Sequence, residues 1–189
     1  YTFETLAKEL DSDKTDNLYT LLIMHYFKKC INTGLPRIPR VPYPPHSEAV
    51  LDEYRAFLNT LLVVLQKQNH NDKKCNIYTT NYDSCFEISA DELISAHAAN
   101  CIVNDGSAGF QSRKFHTKNF NNRVIQKGIF DKHAEVIPQI NILHPHGSVY
   151  WQKEGQGIEV DYGNTPYAIP FTDEQEKLIS SFEELVNNP

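Results

Sequence analysis

Two short apolar segments, each followed at once by polar side chains, constrain the fold of this chain more than any other feature. Residues 75–80 are apolar or β-branched and lead into the polar cluster 81–83. Residues 136–143 have the same character and lead into a second polar cluster at 144–148. Such runs are typical of buried strands, and polar groups that follow them lie where open α/β sheets bind ligands. The pair predicts an α/β fold with a functional edge at the carboxyl ends of its strands.

Helical patterns surround these strands. Four segments carry apolar residues at helical spacing: 17–32, 47–65, 83–99 and 172–186. Asp16 can cap the first of these helices, and Gly34 follows where a C-terminal cap belongs. Thr172 begins the last one, with Gln175 three residues on at the capping-box position.

The remaining segments predict connectors and short extended pieces. Residues 35–45 hold five of the ten prolines, which lack a backbone donor and fix φ, so this segment predicts an extended connector. Residues 104–122 are polar and aromatic and predict a long loop. Further extended pieces are predicted at 149–151, 158–160 and 167–171.

Charge and composition exclude several classes of protein. The net charge is −6, whereas a general nucleic-acid binder carries a basic surplus, and only 113–127 is locally basic. No apolar run approaches the roughly 18 residues that a membrane span needs. Glycine is scarce, eight in 189 residues, and neither G-x-G-x-x-G nor G-x-x-x-x-G-K-[ST] occurs. The two usual phosphate-binding loops are therefore missing from this stretch.

Metal chemistry also has little support in the sequence. The four cysteines, at positions 30, 75, 85 and 101, form no C-x-x-C pair, which argues against a zinc ribbon. They are interpreted as reduced cysteines of an intracellular protein. His144 and His146 alternate along the chain, but no third ligand stands at a suitable spacing, so no metal site is predicted.

The two polar clusters together resemble a known family. T-T-N-Y-D at 79–83 and H-G-S at 146–148 resemble the motifs of the sirtuin-like (silent information regulator) family, and most closely those of bacterial NAD-consuming enzymes of antiphage defence. Smaller details agree: a leucine-rich helix precedes the first motif, Gly109-Phe110 and an Arg-x-Phe at 113–115 lie between the motifs, and Tyr150-Trp151 follow the second. The resemblance spans roughly 47–151.

The resemblance implies a role for each motif residue. Asn81 matches the asparagine that contacts the nicotinamide ribose and helps to place water, and His146 matches the histidine that polarises a ribose hydroxyl. Asp83 matches the aspartate that holds the nicotinamide carboxamide. The residues that would line the NAD pocket beside them are Thr80, Gly147 and Ser148.

The resemblance also implies a fold and its extent. It implies a Rossmann-like parallel sheet with a helical subdomain, incomplete at both ends, because the family's glycine-rich loop and the strands after residue 171 are not evident. The expected division is a helical segment with a proline-rich connector at 1–46 and the central part of a sirtuin-like NAD-binding domain at 47–189. The chain begins at Tyr1 without a methionine and is interpreted as trimmed.

The residue types suit cleavage of NAD⁺. Nicotinamide leaves as a neutral molecule, so the barrier is the oxocarbenium-like charge that develops on the ribose. A neutral asparagine can orient the attacking water, and a histidine of near-neutral pKa can accept a proton. Pro145 stands where the commoner pattern has an aliphatic residue, which leaves His144 as an alternative to His146.

The function expected is that of an NAD⁺ glycohydrolase, which would act in bacterial antiphage defence by depleting NAD⁺. The lack of a C-x-x-C pair favours hydrolysis over the zinc-bearing protein deacylases. An NAD-dependent deacylase, a non-catalytic NAD or ADP-ribose-binding module, and a helical scaffold remain alternatives. NAD is expected as substrate, without zinc. The expected setting is cytoplasmic, as a homo-oligomer or with a partner such as a HerA-like ATPase or an Argonaute-type protein, without direct nucleic-acid or membrane binding.

Overall fold

The computed structural model describes residues 45–68, 73–96, 100–127 and 134–162, with a few helical positions between 5 and 26 and between 173 and 184. The chain divides into two compact units, one formed by Tyr1–Gly34 and Thr165–Pro189 and the other by Leu35–Asn164. The described positions within 17–32 and 172–186 are helical, as predicted. The predicted strand at 167–171 and all but the last residue of the predicted connector lie outside the described residues.

The described residues of the second unit form two α-helices, one 3-10 helix and nine short strands. In chain order its elements are α1 (Pro45–Lys67), β1 (Lys74–Tyr78), α2 (Cys85–Ser95), β2 (Ile102–Asn104), β3 (Ser107–Ala108), β4 (Lys114–Phe115), a 3-10 helix (Thr117–Asn121), β5 (Ile125–Lys127), β6 (Ala134–Val136), β7 (Gln139–Leu143), β8 (Trp151–Glu154) and β9 (Gly157–Val160).

A parallel sheet of three strands forms the centre of this unit. Its order is β1-β7-β2, with β7 between the other two. The register sets Asn76 opposite Asn141 on one side and Asn104 opposite Asn141 on the other. Because all three strands are parallel, their carboxyl ends lie at one edge of the sheet. The prediction of a mixed α/β fold is confirmed.

The hydrophobic core lies between this sheet and the two helices. Alternate residues of the strands, such as Ile140 and Ile142, face Leu58, Leu62 and Leu65 of α1, and all five are at most 4 % exposed. Leucines at this spacing fall on one face of a helix. Removing each of these side chains from water stabilises the fold by roughly 1.5–3 kcal/mol.

Two antiparallel sheets complete the unit. One has four strands in the order β3-β4-β9-β8, and the other pairs β5 with β6. β8 and β9 form a hairpin through a turn at 155–156, where Gly155 has a φ of 59°. The four-stranded sheet brings Phe115 of β4 against Trp151 of β8, with ring centroids 4.5 Å apart.

Three element predictions differ from the structure in instructive ways. The long helix begins at Pro45 rather than Ser47, because proline suits the first helical position, where its missing N–H would be unpaired anyway. The predicted strand 136–143 is two strands, since the segment changes partners at residues 137–138 and Pro138 has no N–H to continue a ladder. The loop predicted at 104–122 contains β3, β4 and the 3-10 helix.

The described part of the chain contains no helix that combines the length and the apolar character needed to cross a membrane.

Candidate functional site

The two polar clusters meet at the carboxyl edge of the parallel sheet. The Thr79 N–H donates to the Leu143 carbonyl at 3.0 Å and extends the pairing of β1 with β7 by one residue. Beyond that point the Val149 N–H donates to the Tyr82 carbonyl at 3.0 Å. The loop after β1 and the loop after β7 are therefore bonded together through their backbones, as expected for neighbouring parallel strands.

Short polar side chains fix the loop after β1. The Thr79 hydroxyl accepts a hydrogen bond from the Asn81 N–H at 3.1 Å, and the Asp83 carboxylate accepts one from the Cys85 N–H at 3.0 Å. Both are the local side-chain-to-backbone turns that threonine and aspartate favour. The Asp83 bond satisfies a donor of the first turn of α2, which explains why this helix begins at Cys85. Thr80 is exposed.

The Asn81 side chain lies at the surface of this loop. The residue is exposed, and its amide Nδ2 donates to the Tyr54 hydroxyl of α1 at 3.3 Å. Burial and the charge of Asp83 raise the pKa of Tyr54, so that this phenol stays protonated at neutral pH. Tyr54 in turn packs edge-on against Phe86, at 4.7 Å between ring centroids. The Asn81 amide thus bonds to Tyr54 while the residue stays exposed to solvent.

A glycine turn shapes the loop after β7. The Gly147 N–H donates to the His144 carbonyl at 3.0 Å, and Gly147 has a φ of 90°. A Cβ at this position would meet nothing within 4 Å, so glycine is needed here for its backbone conformation and not for space. The Ser148 hydroxyl accepts a hydrogen bond from the Tyr150 N–H at 3.4 Å.

The two histidines of this loop differ sharply. His146 is exposed, and its ring forms no hydrogen bond with any residue that the structure describes. His144 is buried, with ring nitrogens 3.0 Å from the Asn81 carbonyl and 2.7 Å from Oε1 of Glu87. Burial alone would lower the pKa of His144, but Glu87, the Asn81 carbonyl and Asp83 together raise it.

The predicted site residues share this edge without bonding to one another. Thr80, Asn81 and Asp83 lie on one loop, and His146, Gly147 and Ser148 on the other. No hydrogen bond joins the side chains of these six described residues; Asn81, Asp83 and Ser148 bond to Tyr54, Cys85 and Tyr150 instead. The arrangement leaves the Asn81 amide and the His146 imidazole accessible to a ligand.

Sequence reasoning missed Glu87, which pairs with His144 across 57 positions of the chain. Its one visible signal is a carboxylate in the first turn of α2, next to the otherwise apolar run of that helix. First-turn acidic residues ordinarily complement the helix dipole, so this signal does not point to a buried partner.

A cavity of about 410 Å³ lies beside this edge, on the face of the parallel sheet opposite α1 and α2. Asn76 and Asn141 form part of its floor, Phe115 and Trp151 part of its walls, and His144 and Pro145 its end nearest the two loops. Its volume falls within the range of small-molecule sites. None of the six predicted site residues lines it.

The floor of the cavity carries a row of hydrogen-bonded amides. The Gln139 amide donates to the Asn141 side-chain oxygen, and the Asn141 amide donates to the Asn76 oxygen, both at 2.7 Å. The Asn141 amide also reaches the Phe120 carbonyl at 3.2 Å. Asn141 itself is 1 % exposed. Because a buried amide is costly without partners, this row fixes the strand register more strictly than apolar side chains would.

The third parallel strand, β2, is also followed by a polar residue, Asp105, whose hydrogen bonds are internal. Arg113 donates to both Asp105 oxygens at 3.1 and 3.2 Å, and the Tyr162 hydroxyl donates to Oδ2 at 3.0 Å. Ser107 donates to the same carboxylate from its backbone and its hydroxyl. The Arg113 side chain of the Arg-x-Phe segment is thus held by an internal carboxylate and ties β2 to the four-stranded sheet.

Within the described residues, no three His, Cys, Asp or Glu side chains are grouped so as to hold a metal ion. Cys75, Cys85 and Cys101 form no disulfide with one another, and burial raises the pKa of each.

Compared with known proteins, the chain matches no protein-family model and no curated sequence.

Proposed function

We propose that the protein is an NAD⁺ glycohydrolase that splits the bond between nicotinamide and ribose and transfers the ADP-ribose to water. One observation carries this proposal: the motif loops that resemble those of sirtuin-like enzymes lie side by side, bonded from Val149 to Tyr82 and from His144 to Asn81. Two loops separated by about 60 residues thus contribute to one edge of a parallel sheet. Open α/β sheets bind nucleotides at such an edge. The finer fold assignment, a Rossmann-like sheet, belongs to this proposal.

The state of the two histidines suggests which of them reacts. Both ring nitrogens of His144 are engaged, so neither is free to accept a proton from substrate. His146 is exposed with its ring nitrogens free of the described residues. We assign proton acceptance, from a ribose hydroxyl or the attacking water, to His146. The proposal therefore takes His146, and not His144, as the reacting histidine.

The other residues take complementary roles in the proposal. The Asn81 amide orients the water without competing as a nucleophile, and Tyr54 holds that amide in place. The Asp83 carboxylate, fixed by the Cys85 N–H, accepts a hydrogen bond from the nicotinamide carboxamide. Thr80, Gly147 and Ser148 border the substrate. Water loses one proton through His146, and nicotinamide departs as a neutral molecule with the electron pair of the broken bond.

The cavity beside His144 offers a place for one of the two bases of NAD⁺, nicotinamide or adenine. Its walls include Phe115, Phe120 and Trp151, and aromatic walls suit a planar heterocycle. Lys74 and Asn76 lie at its floor and supply donors for polar atoms on the ring or its neighbouring phosphate. Because Pro145 lines the cavity and is adjacent to His146, a ring bound there lies close to the proposed reacting edge.

Product analysis in H₂¹⁸O tests this function. The protein as its gene encodes it, with any partner it binds in the cell, is incubated with NAD⁺ in labelled water, and the products are identified by mass spectrometry. Nicotinamide and ADP-ribose carrying one ¹⁸O are expected. Acetyl-ADP-ribose formed only with an acylated peptide would instead identify a deacylase. Bound but uncleaved NAD⁺ would identify a binding module, and either result would overturn the proposal.

The cellular setting stays part of the proposal. Depletion of NAD⁺ during phage infection, control by self-association, and gating by a HerA-like ATPase or an Argonaute-type partner follow from the resemblance alone. A drop in cellular NAD⁺ on infection, lost with the Asn81→Ala variant, is the expected observation.

A further inference from the structure

A buried histidine–carboxylate pair joins three parts of the candidate site. His144 follows β7, Glu87 lies in the first turn of α2, and Asn81 belongs to the loop after β1. The His144 side chain is 3 % exposed and that of Glu87 is 13 % exposed. The ring contacts Glu87 Oε1 at 2.7 Å through Nε2 and the Asn81 carbonyl at 3.0 Å through Nδ1.

The two contacts determine where the protons are. A carbonyl oxygen only accepts, so Nδ1 of His144 carries a proton. The short distance from Nε2 to Oε1 requires a second proton between His144 and Glu87, because two lone pairs would otherwise face each other at 2.7 Å. The pair is therefore either an imidazolium with a carboxylate or a neutral imidazole with a carboxylic acid. In both forms it holds one shared proton.

Among the described residues, only His144 forms a hydrogen bond to the Glu87 carboxylate. Its second oxygen, Oε2, is buried and accepts no hydrogen bond from the described residues. An unpaired buried carboxylate is costly, so Glu87 depends on the proton that it shares with His144. Loss of that proton would drive the His144 ring away from Glu87 and release the Asn81 carbonyl.

Of the groups around the pair, Asp83 favours the protonated form of His144, and the others are neutral or paired with another residue. Asp83, on the loop after β1, adds a second negative charge that raises the pKa of His144. Tyr54 of α1, Cys85 of α2 and Tyr162 after β9 all have pKa values raised by burial first and then by nearby carboxylates, so they remain neutral at pH 7. The ring of Trp151 lies edge-on to His144 at 6.3 Å and adds no charge. The neighbouring carboxylate Asp105 is paired with Arg113.

We propose that His144 and Glu87 act as a proton-sharing pair that positions the Asn81 loop, and that His144 is a positioning residue while His146 reacts with substrate. The inference rests on the proposed function for its effect on catalysis. Its structural part, the shared proton and its hold on the Asn81 carbonyl, does not depend on any substrate.

NMR titration of the whole protein tests the structural part without substrate. In the wild type, the ¹⁵N signals of His144 and the ¹³C signal of the Asn81 carbonyl are expected to titrate together, above pH 6.5. Glu87→Gln removes the charge but keeps a hydrogen-bonding amide, and it is expected to lower the His144 pKa by about 1–3 pH units. Glu92→Gln, on the same helix and paired instead with Arg55, serves as the control and should leave the His144 pKa unchanged.

Kinetics then test the positioning role. Glu87→Gln is expected to lower kcat by roughly 10- to 100-fold with little change in KM, since it disturbs the placement of Asn81 and not the binding of NAD⁺. The loss should grow as the pH rises through the lowered His144 pKa. An Asn81 carbonyl signal that does not titrate with His144, or a His144 pKa unaltered by Glu87→Gln, would overturn the proposal that His144 and Glu87 share a proton and position the Asn81 loop. Wild-type protein that shows the joint titration but releases no nicotinamide would refute only the proposed function.

Discussion

The backbone N–H of Val149 donates to the carbonyl of Tyr82 at 3.0 Å, and this bond joins the two loops that carry all six predicted site residues. Neither Val149 nor Tyr82 is one of the six predicted site residues. The bond exists because β1 and β7 are neighbouring parallel strands whose ends leave the sheet at the same edge. It makes the geometry of one loop dependent on the other, so that changes in the turn at 144–148 are expected to affect the residues at 80–83.

Gly147→Ala is expected to lower both stability and activity. Gly147 has a φ of 90° with open space around it, so an added methyl group causes backbone strain and not a clash. A strain of about 1–2 kcal/mol is expected in the free energy of unfolding. Gly155→Ala, at a φ of 59° in the β8–β9 turn with equally open space, is the matched control. Urea denaturation should show a lower free energy of unfolding in both variants, whereas only Gly147→Ala should slow nicotinamide release. Equal activity in the two variants would argue against a role for the 144–148 turn.

The stability of the fold is expected to depend on pH through His144. Its pKa is raised in the native state, so its stabilising contribution is complete below the unfolded value, about 6.5, and is lost as the pH rises through the native pKa. The free energy of unfolding of the wild type should fall across this interval. In His144→Gln that fall should be absent, while His146→Gln, which alters an exposed ring, should retain it. If the free energy of unfolding of the wild type and of His144→Gln changed with pH in the same way, the raised native pKa of His144 would be contradicted.

Asn141→Ala is expected to destabilise the parallel sheet. Asn141 is 1 % exposed. The substitution removes the oxygen that accepts from Gln139 and the amide that donates to Asn76 and to the Phe120 carbonyl. Of these partners, only the Gln139 amide is buried and left unpaired, since Asn76 is exposed and the Phe120 carbonyl still accepts from Lys74. A buried polar group left unpaired costs about 1–3 kcal/mol, so the free energy of unfolding should fall by about that amount. Asn100→Ala removes one exposed side-chain hydrogen bond, to Gln126, and should change the free energy of unfolding by less than about 0.5 kcal/mol. Similar losses in both variants would show that the amide row is not important for stability.

Leu58→Ala tests the packing of α1 on the sheet. Leu58 is 1 % exposed and belongs to the central core, so truncation should lower the free energy of unfolding by about 2–5 kcal/mol. Val64→Ala, on the same helix at a residue 51 % exposed, should cost much less. Thermal denaturation of the two variants provides the comparison, and a small effect at Leu58 would contradict the placement of α1.

The main elements of the fold could be predicted from local pattern, whereas the pairing of distant residues could not. The leucine spacing of α1 and the apolar run of β1 are local signals and give these elements to within about two residues. β3 and β4 have two residues each and exist only because β4 pairs with β9, more than 40 positions away. No local pattern in 104–122 announces such a pairing.

In the candidate site, too, local features could be predicted from the sequence and contacts between distant residues could not. The polar clusters after β1 and β7 were visible in sequence, because polar residues after an apolar strand are a local pattern. The contact of Glu87 with His144 was not, since it depends on how α2 packs against the end of β7. His144 lies two positions before His146, and nothing in the sequence shows which of the two rings is buried. The two histidines are distinguished only by their burial in the folded chain.

Nicotinamide release by Asn81→Ala and His146→Ala variants, compared with wild type, tests the central claim most directly. The whole protein is used, with its partner where it has one, and the rate is measured at saturating NAD⁺. Both variants are expected to lose about 100-fold or more in kcat, because each removes a group that acts on the water or on the ribose. Asn100→Ala and His46→Ala, which alter exposed residues of the same types, should retain the wild-type rate. Undiminished release by both Asn81→Ala and His146→Ala would contradict the claim.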